Sequence, residues 1–163
     1  MDLIETDVIK ITIATKEHLK YIHKIVHLIE KAAESKNSGI ALRSYDYIKK
    51  KISERKAILA FSEDKLAGFC YIETWDYKKY IAVSGLVVES SYRGQGIAKK
   101  IKKHAFGVAR VYFPDAKIFG LTTSLAVMKI NSSLGYVPVT FSELTKDEQF
   151  WKGCETCKYY DIW

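Results

Sequence analysis

Proline is scarce in this 163-residue chain, with only two residues, while 48% of the chain is hydrophobic. That balance excludes a disordered segment and predicts one compact domain spanning 1–163, long enough to bury an ordinary core. No linker, internal repeat or low-complexity stretch interrupts it. Cysteine is equally sparse, and three is an odd number. The count fits a reduced cytoplasm better than a disulfide framework, so a cytoplasmic location is expected. No run of about 18 apolar residues occurs, so no membrane span is expected. The first residues, Met1 to Thr6, lack the basic start and long apolar stretch of a signal peptide. The phosphate-loop string Gly-x-x-x-x-Gly-Lys-Ser/Thr is missing too, which removes the commonest nucleoside triphosphate site.

Acidic residues are outnumbered, 19 against 26 Lys and Arg, for a net charge of +7. Lys49-Lys50-Lys51, Lys99-Lys100 and Lys102-Lys103 carry much of the excess and read as solvated helix faces. No nucleic-acid module shows, so a nucleic-acid partner is not expected. A small polyanion would benefit from the same charge.

What is present centres on the stretch from Val83 to Ile101. The β-formers Ile81 to Val88 lead into a polar turn, two glycines and an amphipathic helix beginning near Ile97. Gly94 and Gly96 leave backbone N–H groups unobstructed, and the helix adds its positive dipole end. Strand, glycine turn and helix N-terminus make an anion site for a phosphate or pyrophosphate. A dinucleotide fingerprint would need a third glycine where Lys99 stands.

Elsewhere, Ile9, Ile11 and Ile13 alternate with polar residues and predict a strand. Thr15 is placed to cap a helix carrying Leu19, Ile22, Val26, Ile29 and Ala33, ended by Asn37-Ser38-Gly39. Ser44 is placed to cap a second, with Tyr45, Ile48 and Ile52 inward. Strands are predicted over about 56–62 and 66–75, joined by Glu63-Asp64-Lys65. Gly85 marks a bulge or close backbone approach in the central strand. The helix from Ile97 is expected to bury Ile101, Ala105, Val108 and Tyr112, and Pro114-Asp115 closes it. A strand over 117–123 follows. Ser124 then starts a helix with Val127, Ile130 and Leu134 inward, ended at Gly135. Tyr136–Phe141 and Cys157–Trp163 complete the predicted strands.

The string Arg93-x-x-Gly96-x-Ala98 resembles the Q/R-x-x-G-x-G/A motif of the GCN5-related N-acetyltransferases (GNAT), and the element order agrees along the chain. The resemblance implies an α/β GNAT fold: one mixed, mostly antiparallel sheet with helices on both faces. It implies acetyl-coenzyme A as co-substrate and a primary amine as partner. Leu86 and Val88 would meet the pantetheine arm and thioester through their backbone, or serve only as core strand residues. Gly94, Gln95, Gly96, Ile97 and Ala98 would wrap the pyrophosphate. Lys99 or Lys100 is free to meet other phosphates or simply be solvated.

Two residues common in that family are absent. A glutamate base often stands eleven residues before the arginine position, where this chain has Ala82. A tyrosine acid often stands five residues before the aromatic of a glycine–aromatic pair. Counted from Gly135-Tyr136, that place is Asn131, which could bond the cofactor or only pack. Glu73, near the end of the neighbouring strand, is the first candidate for the base; otherwise it is a surface residue.

Leu121-Thr-Thr-Ser124, Gly135-Tyr-Val-Pro138 and Leu144-Thr145 resemble the C-terminal part of N-acetylglutamate synthase-type enzymes. That favours an amino acid such as glutamate as acceptor, with Arg43 as the cation for its carboxylate, unless Arg43 is a solvated loop charge. The alternatives are a protein N-terminus or lysine as acceptor, or a non-catalytic coenzyme A-binding domain. A homodimer is compatible with the sequence. Cys154-x-x-Cys157 supplies two thiols where a structural zinc site needs four ligands, so no metal is expected.

Overall fold

The computed structural model describes residues 8–35 and 39–153. β1 (Ile9–Ile13), β2 (Ala57–Ser62), β3 (Lys65–Trp75), β4 (Tyr80–Val88) and β5 (Lys117–Phe119) form one sheet in the order β1-β2-β3-β4-β5. The first three pairings are antiparallel and β4–β5 is parallel, the mixed, mostly antiparallel sheet that the sequence implies.

A 3-10 turn, Lys16–Tyr21, precedes α1 (Ile22–Glu34). Thr15 starts that turn, and its N–H donates to His18 Nδ1 at 2.9 Å. α2 (Tyr45–Ser53) begins where the Ser44 hydroxyl accepts from the Tyr47 N–H. Both helices turn their isoleucines onto one sheet face: Ile22, Ile25, Ile29, Ile48 and Ile52 bury against Leu59, Phe69, Tyr71 and Val87. α3 (Ile97–Tyr112) covers the other face, where Ile97, Ile101 and Ala105 meet Ile58, Ala60, Ala67 and Val83. Each isoleucine wholly withdrawn from water contributes about 1.5–3 kcal/mol, so the two faces hold the layers together. α4 (Leu125–Ser133) and the short α5 (Glu148–Lys152) follow, with Phe150 packed against Phe119 and Ala82. No helix among the described residues is long and apolar enough to cross a membrane.

Several expectations shift. β5 ends at Phe119 rather than 123, and Tyr136–Phe141 forms no strand. A strand exists only through its ladder partners, and β4 has diverged from the chain beyond Ala82. The predicted strand Cys157–Trp163, with the Cys154 and Cys157 pair, lies outside the described residues. Tyr45 and Tyr112 are exposed because each sits at a helix end, past the rim of the layer beneath. In α4 the buried residue is Asn131, while Val127, Ile130 and Leu134 are only half-buried.

Two irregularities in β4 shape the molecule. Opposite Cys70, the strand carries two residues, Gly85 and Leu86, because the register passes from Tyr71↔Ser84 to Phe69↔Val87. Gly85 has φ +66°, and a Cβ there would lie 2.7 Å from Tyr71 Cδ1 and nearer still to Cε1. Only glycine meets both demands, and the bulge stands where the sequence predicts one. Further along, β4 continues to Val88 while its pairing with β5 stops at Ala82↔Phe119. The two parallel strands therefore part midway, leaving a gap between them.

Candidate active site

The gap opens toward the glycine turn. Past β4 the chain makes a 3-10 turn, Ser90–Tyr92, and reaches Arg93, whose Nε donates to Val88 O at 3.2 Å. Gly94 and Gly96 follow with φ of +80° and +74°, and Gly96 caps α3 in the left-handed conformation. A Cβ at either glycine would meet nothing within 4 Å, so the backbone alone requires glycine there. The first N–H groups of α3 have no intrahelical partners, and Gly94, Gln95 and Gly96 are exposed around them. Ile97 beneath is buried, which anchors the turn, and Ala98 is half-buried while Lys99 is exposed. The predicted loop residues thus lie together around the N-terminal end of α3, with its first N–H groups among them.

Within the gap, Leu86 and Val88 are half-buried and pack with the α3 layer. Its floor is polar. Lys102, expected on a solvated face, is 2% exposed, and its Nζ stands 3.5 Å from Val83 O, just past the last residue of β4 paired to β5. Asn131 enters from α4 and is also buried. Burial pushes the Lys102 ammonium below the ordinary lysine range, with the nearby Cys70 opposing that shift. Cys70 is fully buried, and its thiol is pushed up to about 12 by desolvation.

On the opposite face of β4 lies a second polar group. Glu73 is the ladder partner of Ala82, so the two side chains stand side by side on one face. Tyr47 Oη donates to Glu73 Oε2 at 2.8 Å, and the same oxygen is ion-paired to Lys51 Nζ. Lys51, 2% exposed, also donates to Ile72 O at 3.0 Å. Burial raises the Glu73 carboxyl, but Lys51, Tyr47 and the Thr74 N–H outweigh it and hold Glu73 below the usual carboxylate range. Glu73 is accordingly an anion, not the surface residue of the bland expectation. Arg43 Nε donates to Tyr71 Oη at 2.9 Å and an Arg43 amino group to Gly153 O at 2.9 Å. Its guanidinium also lies 5.1 Å from the Tyr47 ring centroid. Arg43 and Glu73, far apart in the chain, therefore flank one pair of tyrosines.

Lys51, Lys102, Tyr47 and Tyr71 were not singled out from the sequence as site residues. A signal existed for the lysines: Lys51 falls three residues after Ile48, and Lys102 falls three before Ala105, both on apolar stripes. Among the described residues, no three His, Cys, Asp or Glu side chains come together as metal ligands.

Residues 23–124 match the family model described as Acetyltransferase (GNAT) family. No curated protein matches the chain by sequence. Among solved structures, Rv2747 from Mycobacterium tuberculosis, in complex with CoA and NLQ, superposes with TM-score 0.68 at 15% identity, over 89% of this chain and 81% of that one. N-acetylglutamate synthase from Neisseria gonorrhoeae, complexed with coenzyme A and N-acetyl-glutamate, gives 0.68 at 16% identity. There the alignment covers 92% of this chain but 34% of the synthase, so this chain spans about a third of that enzyme's length. The ribosomal-protein-S18-alanine N-acetyltransferase from Escherichia coli gives 0.61 at 15% identity, over 82% and 80% of the two chains. At these identities the likeness is one of fold.

Proposed function

This chain belongs to the GNAT family of acetyltransferases, an acetyl-coenzyme A-dependent N-acetyltransferase, and from that premise we propose that its acceptor is the α-amine of an amino acid such as glutamate. The observation that carries this reading is the pairing of Arg43 and Glu73 across the Tyr47–Tyr71 pair. The Arg43 guanidinium, already donating to Tyr71 Oη, Leu42 O and Gly153 O, draws a carboxylate by its fixed charge, and a carboxylate held ionised attracts an ammonium. An amino acid carries both groups.

The pyrophosphate of the co-substrate fits the turn of Gly94, Gln95, Gly96, Ile97 and Ala98, beside Arg93, with Lys99 exposed for a further phosphate. Its pantetheine arm fits the gap, against the backbone of Leu86 and Val88, with Asn131 on the far wall. A backbone N–H aimed at the thioester oxygen would stabilise the charge that develops on amine attack. Glu73 is the assigned proton acceptor. It stands beside Ala82, the position where the family commonly carries its glutamate, on the same face of the sheet. Its lowered pKa makes it a weak base, so it acts by drawing in the ammonium and passing the proton to water; proximity supplies the rest of the acceleration. We also read the chain as a single acetyltransferase domain working in the reducing cytoplasm, where a free Cys70 is at ease.

Thiol release from acetyl-coenzyme A, measured against amino acids, polyamines and short peptides, tests the acceptor. Stimulation by an acidic amino acid, lost in Arg43→Ala mainly through KM, is the expected result. Turnover with peptides alone overturns the amino-acid assignment, and tight coenzyme A binding without turnover overturns catalysis.

A further inference from the structure

Lys102 is an unusual residue for a protein core. Burying an ammonium costs several kcal/mol unless it is well paired. Among the described residues Lys102 has no ion pair, and its bond to Val83 O, at 3.5 Å, is at the limit of hydrogen-bond range. Its surroundings are polar and also underused. A Cβ built on Gly120 would lie 3.2 Å from Lys102 Nζ and 3.6 Å from Asn131 Nδ2, so ammonium and amide converge on a space that the glycine leaves open. Asn131 Oδ1 and Tyr136 Oη are buried there with no hydrogen-bond partner among the described residues. The Tyr136 ring lies 5.4 Å from Lys102 Nζ, and Cys70 faces it from β3. A buried cation and two unsatisfied polar atoms, gathered where β4 and β5 part, describe a site with room for a group that the described residues do not supply.

We propose that Lys102 is the proton donor to the sulfur that leaves the thioester. The proposal rests on the reading above that the gap holds the pantetheine arm. When the amine nitrogen bonds to the acetyl carbon, the carbon–sulfur bond breaks and sulfur takes its electron pair. The Lys102 ammonium gives one proton to that sulfur, leaving a free thiol and a neutral lysine that regains a proton from water. The surplus proton of the attacking amine leaves separately, on the Glu73 side of β4. Donor and acceptor thus stand on opposite faces of the strand that carries the reacting group. Burial lowers the lysine pKa, which makes the ammonium a readier proton donor. The assignment also accounts for Asn131, which cannot itself donate a proton to a thiolate where the family often has tyrosine.

The test is the thiol titration of bound coenzyme A, followed by the ultraviolet absorbance of the thiolate, in the parent, Lys102→Met and Lys102→Arg. The parent is expected to lower the bound thiol pKa by about one unit or more from its ordinary value near 8.5. Lys102→Met is expected to abolish that shift, and Lys102→Arg, which keeps the charge, to retain part of it. In steady state Lys102→Met is expected to lose about 10²–10³-fold in kcat with KM changed little. Equal thiol titration in parent and Lys102→Met, or an unchanged kcat, overturns the proposal while leaving the acetyltransferase reading intact. A parent that binds no coenzyme A overturns both.

Discussion

Replacing Glu73 by Gln separates what that carboxylate does for the fold from what it does for the reaction. The substitution leaves the Lys51 ammonium, 2% exposed, without its counter-charge, while the amide that takes the carboxylate's place can still accept from Tyr47. Breaking a buried ion pair from one side costs about 3–5 kcal/mol. Glu73 is 19% exposed and water can reach it in part, so the expected loss is at the lower end, about 3 kcal/mol. For a domain of this size that is a fall in Tm of roughly 6–12 °C. Removing both charges, in Lys51→Met with Glu73→Gln, is expected to restore most of the loss, since an apolar side chain suits a site that excludes water. The pH dependence carries the same signature. The folded-state pKa of Glu73 lies below its unfolded value near 4.3, so its stabilisation is complete above that value. It is lost as pH falls through the folded-state pKa, and the Glu73→Gln variant lacks that component of the acid slope. Urea unfolding of the parent, both single variants and the double variant, at pH 7 and in steps down through the acid range, reads all of this. If Glu73→Gln unfolds within about 0.5 kcal/mol of the parent, the ion pair does not hold the site together. A double variant no more stable than Glu73→Gln alone would refute the reasoning about the stranded ammonium. Acetyl transfer by the stabilised double variant then reports on Glu73 as proton acceptor without the complication of unfolding.

Gly85→Ala places a side chain in the left-handed region and against the Tyr71 ring. Strained backbone at about 1–2 kcal/mol, added to overpacking of about 1–3 kcal/mol, predicts a marked fall in Tm by calorimetry; a change under about 2 °C speaks against the bulge as described. Cys70, fully buried with its pKa raised to about 12, is expected to resist a maleimide at pH 7 until the protein is unfolded. Rapid labelling of Cys70 in the native protein, located by mass spectrometry, contradicts its burial.

Some of this protein was decided by sequence alone, because local physics decided it. The alternation of Ile9, Ile11 and Ile13, the cap at Ser44, the glycines at 85, 94 and 96, and the apolar stripe of α3 each act within a few residues of themselves. They place the elements and the turn at the head of α3, and through that turn the family. Gly94 and Gly96 were legible because a left-handed backbone has few alternatives to glycine. Tertiary structure decided the rest. Whether Tyr136–Phe141 becomes a strand depends on a partner ladder, which no local pattern supplies. Lys51 and Lys102 belong to runs of lysine that look alike in sequence, yet one member of each is swept inward with its helix face. Their neighbours at 49, 50, 99, 100 and 103 stay in water. Glu73 and Ala82 come side by side only through the register of β3 against β4, and Arg43 reaches Tyr71 only when the loop before α2 folds over the sheet. Pairings across such separations depend on the packing of every layer between them. The chemistry of this site is therefore assembled by the fold, even though the binding turn is encoded in place.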